Sequence, residues 1–181
     1  MELVAADIGG THARFAIASV DDNGIVTLEE PVKLKTSAYF SLKTAWDAFR
    51  DQLGRPAPKA AAIAIAAPVT GAIVRMTNNS WVIDTSGLET QLGLDHVILL
   101  NDFAAVAHAA ANTADADFLH LSGPDKPFPA TGTVSVLGPG TGLGVAHFHR
   151  WASGYHVQAT EGAHVDFAPL AAVASQAGAR V

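Results

Sequence analysis

The chain has 181 residues, of which 49% are hydrophobic and 15% are charged, and its formal net charge is −6. This length and apolar content suit one ordinary domain or slightly more, and the acidic balance argues against a nucleic-acid or membrane partner. The absence of cysteine excludes disulfides, thiolate zinc sites and cysteine nucleophiles, and an N-terminus without a signal-peptide pattern favours a cytoplasmic protein.

The first third of the chain is predicted to hold three strands and one helix. Residues 2–9 and 13–20 are apolar or alternating, and the turn signal DDNG at 21–24 leads to a third predicted strand over 25–35. A helix is predicted over 38–54, ended by Gly54 and the prolines that follow. Its apolar residues near the helical period are Phe40, Leu42, Trp46, Phe49 and Leu53.

The middle third alternates predicted strands and helices. The nearly continuous apolar run 60–69 is typical of a parallel strand covered on both faces, and 72–77 is a shorter strand. A short capped helix is predicted over 84–94, and a strand over 96–102 followed by the helical segment FAAVAHAAA. This order of elements predicts an α/β fold with a mixed sheet.

After residue 111 the composition and pattern of the sequence change, and we expect a domain boundary there. A proline- and glycine-rich connection over 122–132 leads to two apolar runs, TVSVLGPG and GLGVAHFHR, joined by a glycine turn. We therefore predict a first lobe at 1–111 and the incomplete start of a second lobe at 112–181.

Two glycine turns are candidate phosphate-binding sites. In DIGGTHARFAIA, Gly9, Gly10 and Thr11 offer backbone N–H groups at a tight bend, and Asp7 could hold magnesium through water. VLGPGTGLGV at 136–145 repeats this plan and matches neither a Walker A loop nor a dinucleotide fingerprint. The alternatives are a plain hairpin with an aspartate-initiated turn and a glycine-dense β-turn, although two such hairpins together favour a triphosphate site.

Polar residues at the end of a buried strand are candidates for the chemistry. Asn101 and Asp102 stand where functional residues of α/β sheets occur, although Asn and Asp also cap helices. Glu161 and His164 are three residues apart, a spacing that puts them on one face of a helical turn. A cluster of histidines raises a zinc site as the less favoured alternative to ordinary surface histidines; its members are His147, His149, His156 and His164.

These stretches together resemble the bacterial glucokinase family, the ATP-dependent, hexokinase-like group with an actin-like (ribonuclease H-like) ATPase fold. The motifs that carry the resemblance are DIGGTHAR, AIAAPVTG, MTNNSW, NDFAAVA, GPGTGLGVAH and EGAHVDFAP, in the family's order from residue 2 to residue 169. Each is weak alone, and the set is specific. The chain departs from the family pattern at His12, commonly asparagine, and at Ala163, commonly glycine.

The resemblance implies two substrates, glucose and ATP, with magnesium as cofactor, and it assigns a role to each motif. The catalytic base matches Asp102. Glucose contacts match Asn101, Glu161 and His164, with Asn79 a weaker candidate. The ATP phosphate loop matches Ala6, Asp7, Ile8, Gly9, Gly10 and Thr11, with Asp7 as the magnesium residue, and the second phosphate hairpin matches Gly138, Gly140, Thr141 and Gly142.

Length is the largest departure, because members of the family are roughly twice as long. The resemblance therefore implies a truncated glucokinase, inactive as this chain and prone to form homo-oligomers. The alternatives are a non-catalytic sugar- or nucleotide-binding remnant, and another actin-like ATPase without a sugar substrate. The NDF and EGAH motifs argue against the last, since both serve the sugar side in the family.

Overall fold

The computed structural model describes residues 1–76, 78–139, 143–160 and 162. In chain order the elements are β1 (Glu2–Ile8), β2 (His12–Val20), β3 (Val26–Leu28), β4 (Val32–Lys35), α1 (Leu42–Gln52), β5 (Ala60–Ile65), β6 (Ile73–Arg75), β7 (Val82–Asp84), α2 (Leu88–Leu92), β8 (His96–Asn101), α3 (Asp102–Asn112), β9 (Gly132–Pro139), β10 (Leu143–Trp151) and β11 (Gly154–Thr160).

The main sheet is mixed, as the order of elements predicted. Its strands follow the order β3-β2-β1-β5-β8, and β4 pairs with β2. The β1–β2 hairpin is antiparallel, whereas β1 with β5 and β5 with β8 are parallel. The two parallel pairs bring the carboxyl ends of β1, β5 and β8 to one edge of the sheet.

One face of this sheet forms the main core. Alternate residues of the central strands point into it and are buried, whereas the residues between them are half-buried or exposed. The ring of Phe15 lies 6.0 Å from that of Trp46 and 5.0 Å from that of Phe49, both on α1. The indole Nε1 of Trp46 donates to the carbonyl of Leu92 at 3.0 Å, which fastens α1 to α2 while satisfying a buried donor.

Three sequence predictions need correction. The strand predicted over 25–35 is two strands, β3 and β4, interrupted around Pro31, which has no N–H for a ladder. The helix predicted from 38 begins only at Leu42, because Ser41 and Thr44 form a capping box, and Phe40 is 95% exposed. The run 60–69 is fully buried on one face only, as β5 alternates between buried and half-buried residues.

A second, three-stranded sheet packs against α3. Its order is β11-β10-β9, all antiparallel, and neither β11 nor the short β7 was predicted from the sequence. A small buried cluster joins Ala107 of α3 to Ala146 and Phe148 of β10. The division of the chain at residue 111, one residue before α3 ends, stays a prediction. Among the described residues, no helix combines the length and the hydropathy needed to cross a membrane.

Candidate active site

The candidate site lies at the carboxyl edge of the main sheet. The register pairs Ile8 with Ile65 and Ile65 with Asn101. Since neighbouring strands lie about 4.8 Å apart, Ile8 and Asn101 are about 10 Å apart across β5. The turn after β1 and the start of α3 therefore meet at one edge, which brings together the first glycine turn and the Asn101–Asp102 pair.

The turn between β1 and β2 is held by one buried threonine. The N–H of Gly9 donates to the carbonyl of His12 at 2.9 Å and closes the hairpin. Thr36, only 3% exposed, donates its hydroxyl to the carbonyl of Gly10 at 2.6 Å and its N–H to the carbonyl of Thr11 at 3.0 Å. Thr36 thus anchors the carbonyl side of the turn. Nothing in the sequence around it indicated this contact, which spans 26 residues.

Gly10 has a steric reason to be glycine. A Cβ at this position would lie 2.6 Å from Cβ of Asn78 and 3.1 Å from its carbonyl oxygen, whereas a Cβ on Gly9 would meet the His12 carbonyl only at 3.4 Å. The turn is therefore packed against the segment that follows β6. This contact brings the MTNNSW motif beside the first glycine turn.

Replacing Thr36 by valine should lower the free energy of unfolding by about 1–3 kcal/mol, because the isosteric side chain leaves the Gly10 carbonyl without its donor. Thr36→Ser keeps the hydroxyl and should lose only the ~0.8 kcal/mol of one buried methyl group. Urea unfolding of the three proteins at equal concentration measures both values. Equal stabilities for the native and valine chains would show that this hydrogen bond does not hold the turn.

Asp7 faces away from the core at the end of β1. Its Oδ2 accepts from Nη1 of Arg14 at 2.7 Å, and both side chains are about half exposed. A carboxylate is a ligand that magnesium prefers, and an exposed one suits a hydrated ion. Within the described ranges, no group of three or more His, Cys, Asp or Glu side chains could hold a metal. The water-mediated magnesium role predicted for Asp7 stays a prediction.

Asn101 makes the capping contacts that were the alternative to a role in chemistry. Its Oδ1 accepts from the N–H groups of Phe103 at 2.9 Å and Ala104 at 3.1 Å, and its Nδ2 donates to the carbonyl of Ala67 at 3.3 Å. Asp102 is half-buried at the first position of α3, and its Oδ1 accepts from the N–H of Phe103 at 2.8 Å. The cap fixes the direction in which α3 leaves the sheet edge and so fixes the backbone of Asp102.

Phe103 joins the start of α3 to the second glycine hairpin. A Cβ on Gly138 would lie 2.5 Å from Cζ of the Phe103 ring, and a Cβ on Gly144 would overlap that ring still more closely. Both glycines therefore leave room for this aromatic side chain. Gly138 was predicted as a phosphate contact, a role that nothing in the described structure tests, and sequence reasoning missed its contact with Phe103.

Asn79 has one satisfied and one unsatisfied amide atom. Its Oδ1 accepts from the N–H of Trp81 at 2.6 Å, which forms a local turn. Its Nδ2 is buried and has no hydrogen-bond partner among the described residues. A buried donor without a partner costs free energy. This amide is therefore a candidate hydrogen-bond donor to a ligand or to a water molecule.

The other predicted residues divide into two groups. Glu161, His164, Gly140, Thr141 and Gly142 lie outside the described residues. Three of the four clustered histidines share the face of the second sheet that points away from α3, where Nδ1 of His147 contacts the Ser135 hydroxyl at 3.0 Å and Nδ1 of His149 contacts the Thr133 hydroxyl at 2.9 Å. In the described part of the chain these histidines do not form a group of three that could hold a metal.

The comparison with known proteins now decides the family. The glucokinase family profile matches residues 4–177. The chain belongs to the glucokinase family. A glucokinase of Zymomonas mobilis is 51% identical over 170 residues, which are 94% of this chain and 52% of that protein. A glucokinase of Neisseria meningitidis is 39% identical over 167 residues, which are 92% of this chain and 49% of that protein. The chain thus spans about half the length of these relatives.

Solved glucokinase structures share the fold. A glucokinase from an Antarctic psychrotroph superposes with a TM-score of 0.75 at 28% identity, covering 96% of this chain and 54% of that one. The glucokinase of Balamuthia mandrillaris in complex with glucose gives 0.70 at 28% identity, covering 98% and 53%. The expected α/β fold of the actin-like ATPase type, with a mixed sheet, is confirmed.

Proposed function

We propose that this chain carries the catalytic half of an ATP-dependent glucokinase, which transfers the terminal phosphoryl group of ATP to the 6-hydroxyl of glucose. The observation that carries the proposal is the meeting of three motifs at one sheet edge, in a chain whose family match covers 4–177. They are the Gly9–Thr11 turn, the Asn101–Asp102 pair and the β9–β10 hairpin against which Phe103 packs.

The residue types suit phosphoryl transfer, which needs positioning and charge neutralisation more than covalent help. We propose that the segment Ala6 to Thr11 holds the phosphates through its backbone N–H groups. Gly9 donates to His12, so the donors left for a ligand are those of Gly10 and Thr11, which enter no hydrogen bond among the described residues. The second hairpin would supply Gly138, Gly140, Thr141 and Gly142 in the same way.

Asp102 is proposed as the general base, which accepts the proton of the 6-hydroxyl as the new bond to phosphorus forms. Asn101, Glu161 and His164 would orient the sugar by its other hydroxyls. The Nδ2 of Asn79 has no hydrogen-bond partner among the described residues, which makes Asn79 a fourth candidate. Magnesium, held through water near Asp7, would neutralise charge on the transferring phosphoryl group. The solved relative with bound glucose supports this substrate class, and the cytoplasm is the compartment we propose.

A hybrid enzyme tests the proposal. The region of this chain that matches the Zymomonas mobilis glucokinase would be joined to the part of that glucokinase that follows its own matched region, a junction favoured by 51% identity over 170 residues. We expect glucose phosphorylation in the presence of magnesium and ATP, followed by a coupled assay of the sugar phosphate. The matched control is the native relative.

The outcome also distinguishes the alternatives. A folded hybrid that binds glucose and does not turn over would favour the non-catalytic remnant. A hybrid that hydrolyses ATP at a rate independent of glucose would favour an ATPase without a sugar substrate, and it would contradict the proposal.

A further inference from the structure

Four basic side chains lie together on two neighbouring strands beside the first glycine turn. On β2 and β4, His12 is directly opposite Lys35, and Arg14 is directly opposite Lys33. Their side chains point to the face of the sheet opposite the main core; the arginine and both lysines are exposed, and the histidine is half-buried. We call these four residues the basic surface.

The arrangement concentrates positive charge, with Asp7 as the one carboxylate that forms an ion pair with it among the described residues. Like charges directly opposite each other on paired strands destabilise a sheet. The chain as a whole is acidic, with 17 Asp and Glu against 11 Lys and Arg, so the cluster is not a consequence of a basic composition. Asp7 pairs with Arg14 at 2.7 Å, and in the described part of the chain neither Lys33 nor Lys35 enters an ion pair.

The side chains of the basic surface act on one another. The pKa of His12 is lowered, first by desolvation and then by repulsion from Lys33, Arg14 and Lys35. These three cations, with Asp7 behind Arg14 on β1, are the charged groups that face His12 from the strands packed against it. A bound anion would relieve this repulsion.

The basic surface is continuous with backbone donors. His12 directly follows Thr11, and Lys35 directly precedes Thr36, whose two hydrogen bonds fix the carbonyls of Gly10 and Thr11. The N–H groups of Gly10 and Thr11 enter no hydrogen bond within the described ranges. The two amide donors therefore directly adjoin the basic surface in the chain, and Thr36 ties their turn to β4.

We propose that the basic surface and the Gly10–Thr11 turn form a binding site for a phosphate chain, either the tail of a nucleotide or an inorganic oligophosphate. Strand spacing and rise give the four basic residues a footprint of about 5 by 7 Å, the size of a compact multivalent anion. Lysine and arginine are established phosphate ligands. The acidic remainder of the chain repels polyanions that extend beyond this footprint, which disfavours nucleic acid.

This proposal rests on the proposed function, because the Gly10–Thr11 turn belongs to the first phosphate loop of that function. It goes further by giving side-chain ligands to a site that otherwise offers backbone donors. It also makes the binding of the phosphate chain independent of glucose and of Asp102, so it can be tested on the 181-residue chain itself.

The test compares two double variants with the same loss of charge. Lys33→Gln/Lys35→Gln removes two cations from the basic surface, whereas Lys43→Gln/Lys126→Gln removes one from α1 and one from the connection before β9. Calorimetric titration with tripolyphosphate, without magnesium and at low salt, should give about tenfold weaker binding for the first variant, which corresponds to about 1.4 kcal/mol. The control should stay within about twofold of the native chain, and ATP titrated in the same way distinguishes the two sources of the phosphate chain.

A second readout follows the imidazole of His12 by NMR, with the signal assigned from a His12→Gln variant. Tripolyphosphate should raise the pKa of His12 in the native chain, because a neighbouring anion favours the charged ring, and should leave it nearly unchanged in Lys33→Gln/Lys35→Gln. Equal binding by both double variants, or a His12 pKa that the ligand does not move, would overturn the proposal. Failure of the hybrid enzyme to phosphorylate glucose would leave these measurements untouched, so the two failures are distinguishable.

Discussion

Replacing Asp102 by asparagine in the hybrid enzyme should lower kcat by about 10²- to 10⁴-fold, the range that a positioned general base contributes. Glucose affinity should change by less than about tenfold, because the amide keeps the size and a hydrogen-bonding oxygen of the carboxylate. It cannot accept the proton of the 6-hydroxyl. The loss should therefore appear in kcat and in kcat/KM nearly equally, as for an interaction made mainly in the transition state.

Asp102 also contributes to the stability of α3, and the experiment must distinguish this structural effect from a catalytic one. It is the acidic residue in the first turn of α3, where a negative charge stabilises a helix by about 0.3–1 kcal/mol. Asp117→Asn, an exposed aspartate beyond α3, is the matched control and should retain full activity. Turnover within a few fold of the unmodified hybrid for Asp102→Asn would remove Asp102 from the role of base.

The 181-residue chain on its own should show no measurable glucose phosphorylation. It spans 52% of the length of its Zymomonas mobilis relative, so the groups that the other half of such a protein would bring to the cleft are not supplied. ATP would then be held only through its triphosphate, which is hydrated and mobile. An open cleft also leaves the reacting groups in water. A coupled assay on mass-verified protein measures the activity. Glucose-dependent turnover that disappears in Asp102→Ala would contradict this prediction.

The same chain should elute as oligomers in size-exclusion chromatography. The second sheet exposes apolar side chains on its face away from α3, where Leu137 is 61% exposed, Leu143 48% and Trp151 45%. Its outer strands, β9 and β11, have no further neighbour within the described ranges, and such edges favour association. Leu137→Glu should reduce the oligomeric fraction, whereas Phe40→Glu, at a side chain 95% exposed and distant from this sheet in the chain order, should not. A native chain that elutes as a monomer would refute the association.

Local patterns predicted most of the elements for a physical reason. Four strands, β1, β2, β5 and β8, show apolar runs or alternate apolar and polar residues. Each pattern arises because a strand buried on at least one face needs apolar residues in its own sequence. Boundaries were less predictable. The apolar side chain of Phe40 fits a helical period, and yet the capping box at Ser41 starts the helix after it, because a cap satisfies backbone donors that periodicity ignores.

The candidate site shows where sequence reasoning ended. The capping alternative for Asn101 is present in the structure, and the pair's place at a sheet edge follows from the parallel order of strands. The packing of Phe103 over Gly138 and Gly144 and the anchoring of the turn by Thr36 could not be predicted. Both depend on contacts between residues 26 or more positions apart, for which a single sequence carries no local signal.

The sequence by itself determined the α/β class, the types and order of most elements, and the motifs whose combination indicates the glucokinase family, because each is expressed within short stretches of the chain. Only the tertiary structure decided which side chains share a surface. Lys33 and Lys35 meet Arg14 and His12 solely because β4 pairs with β2 in one register, and a shift of one residue would turn both lysines to the other face of the sheet.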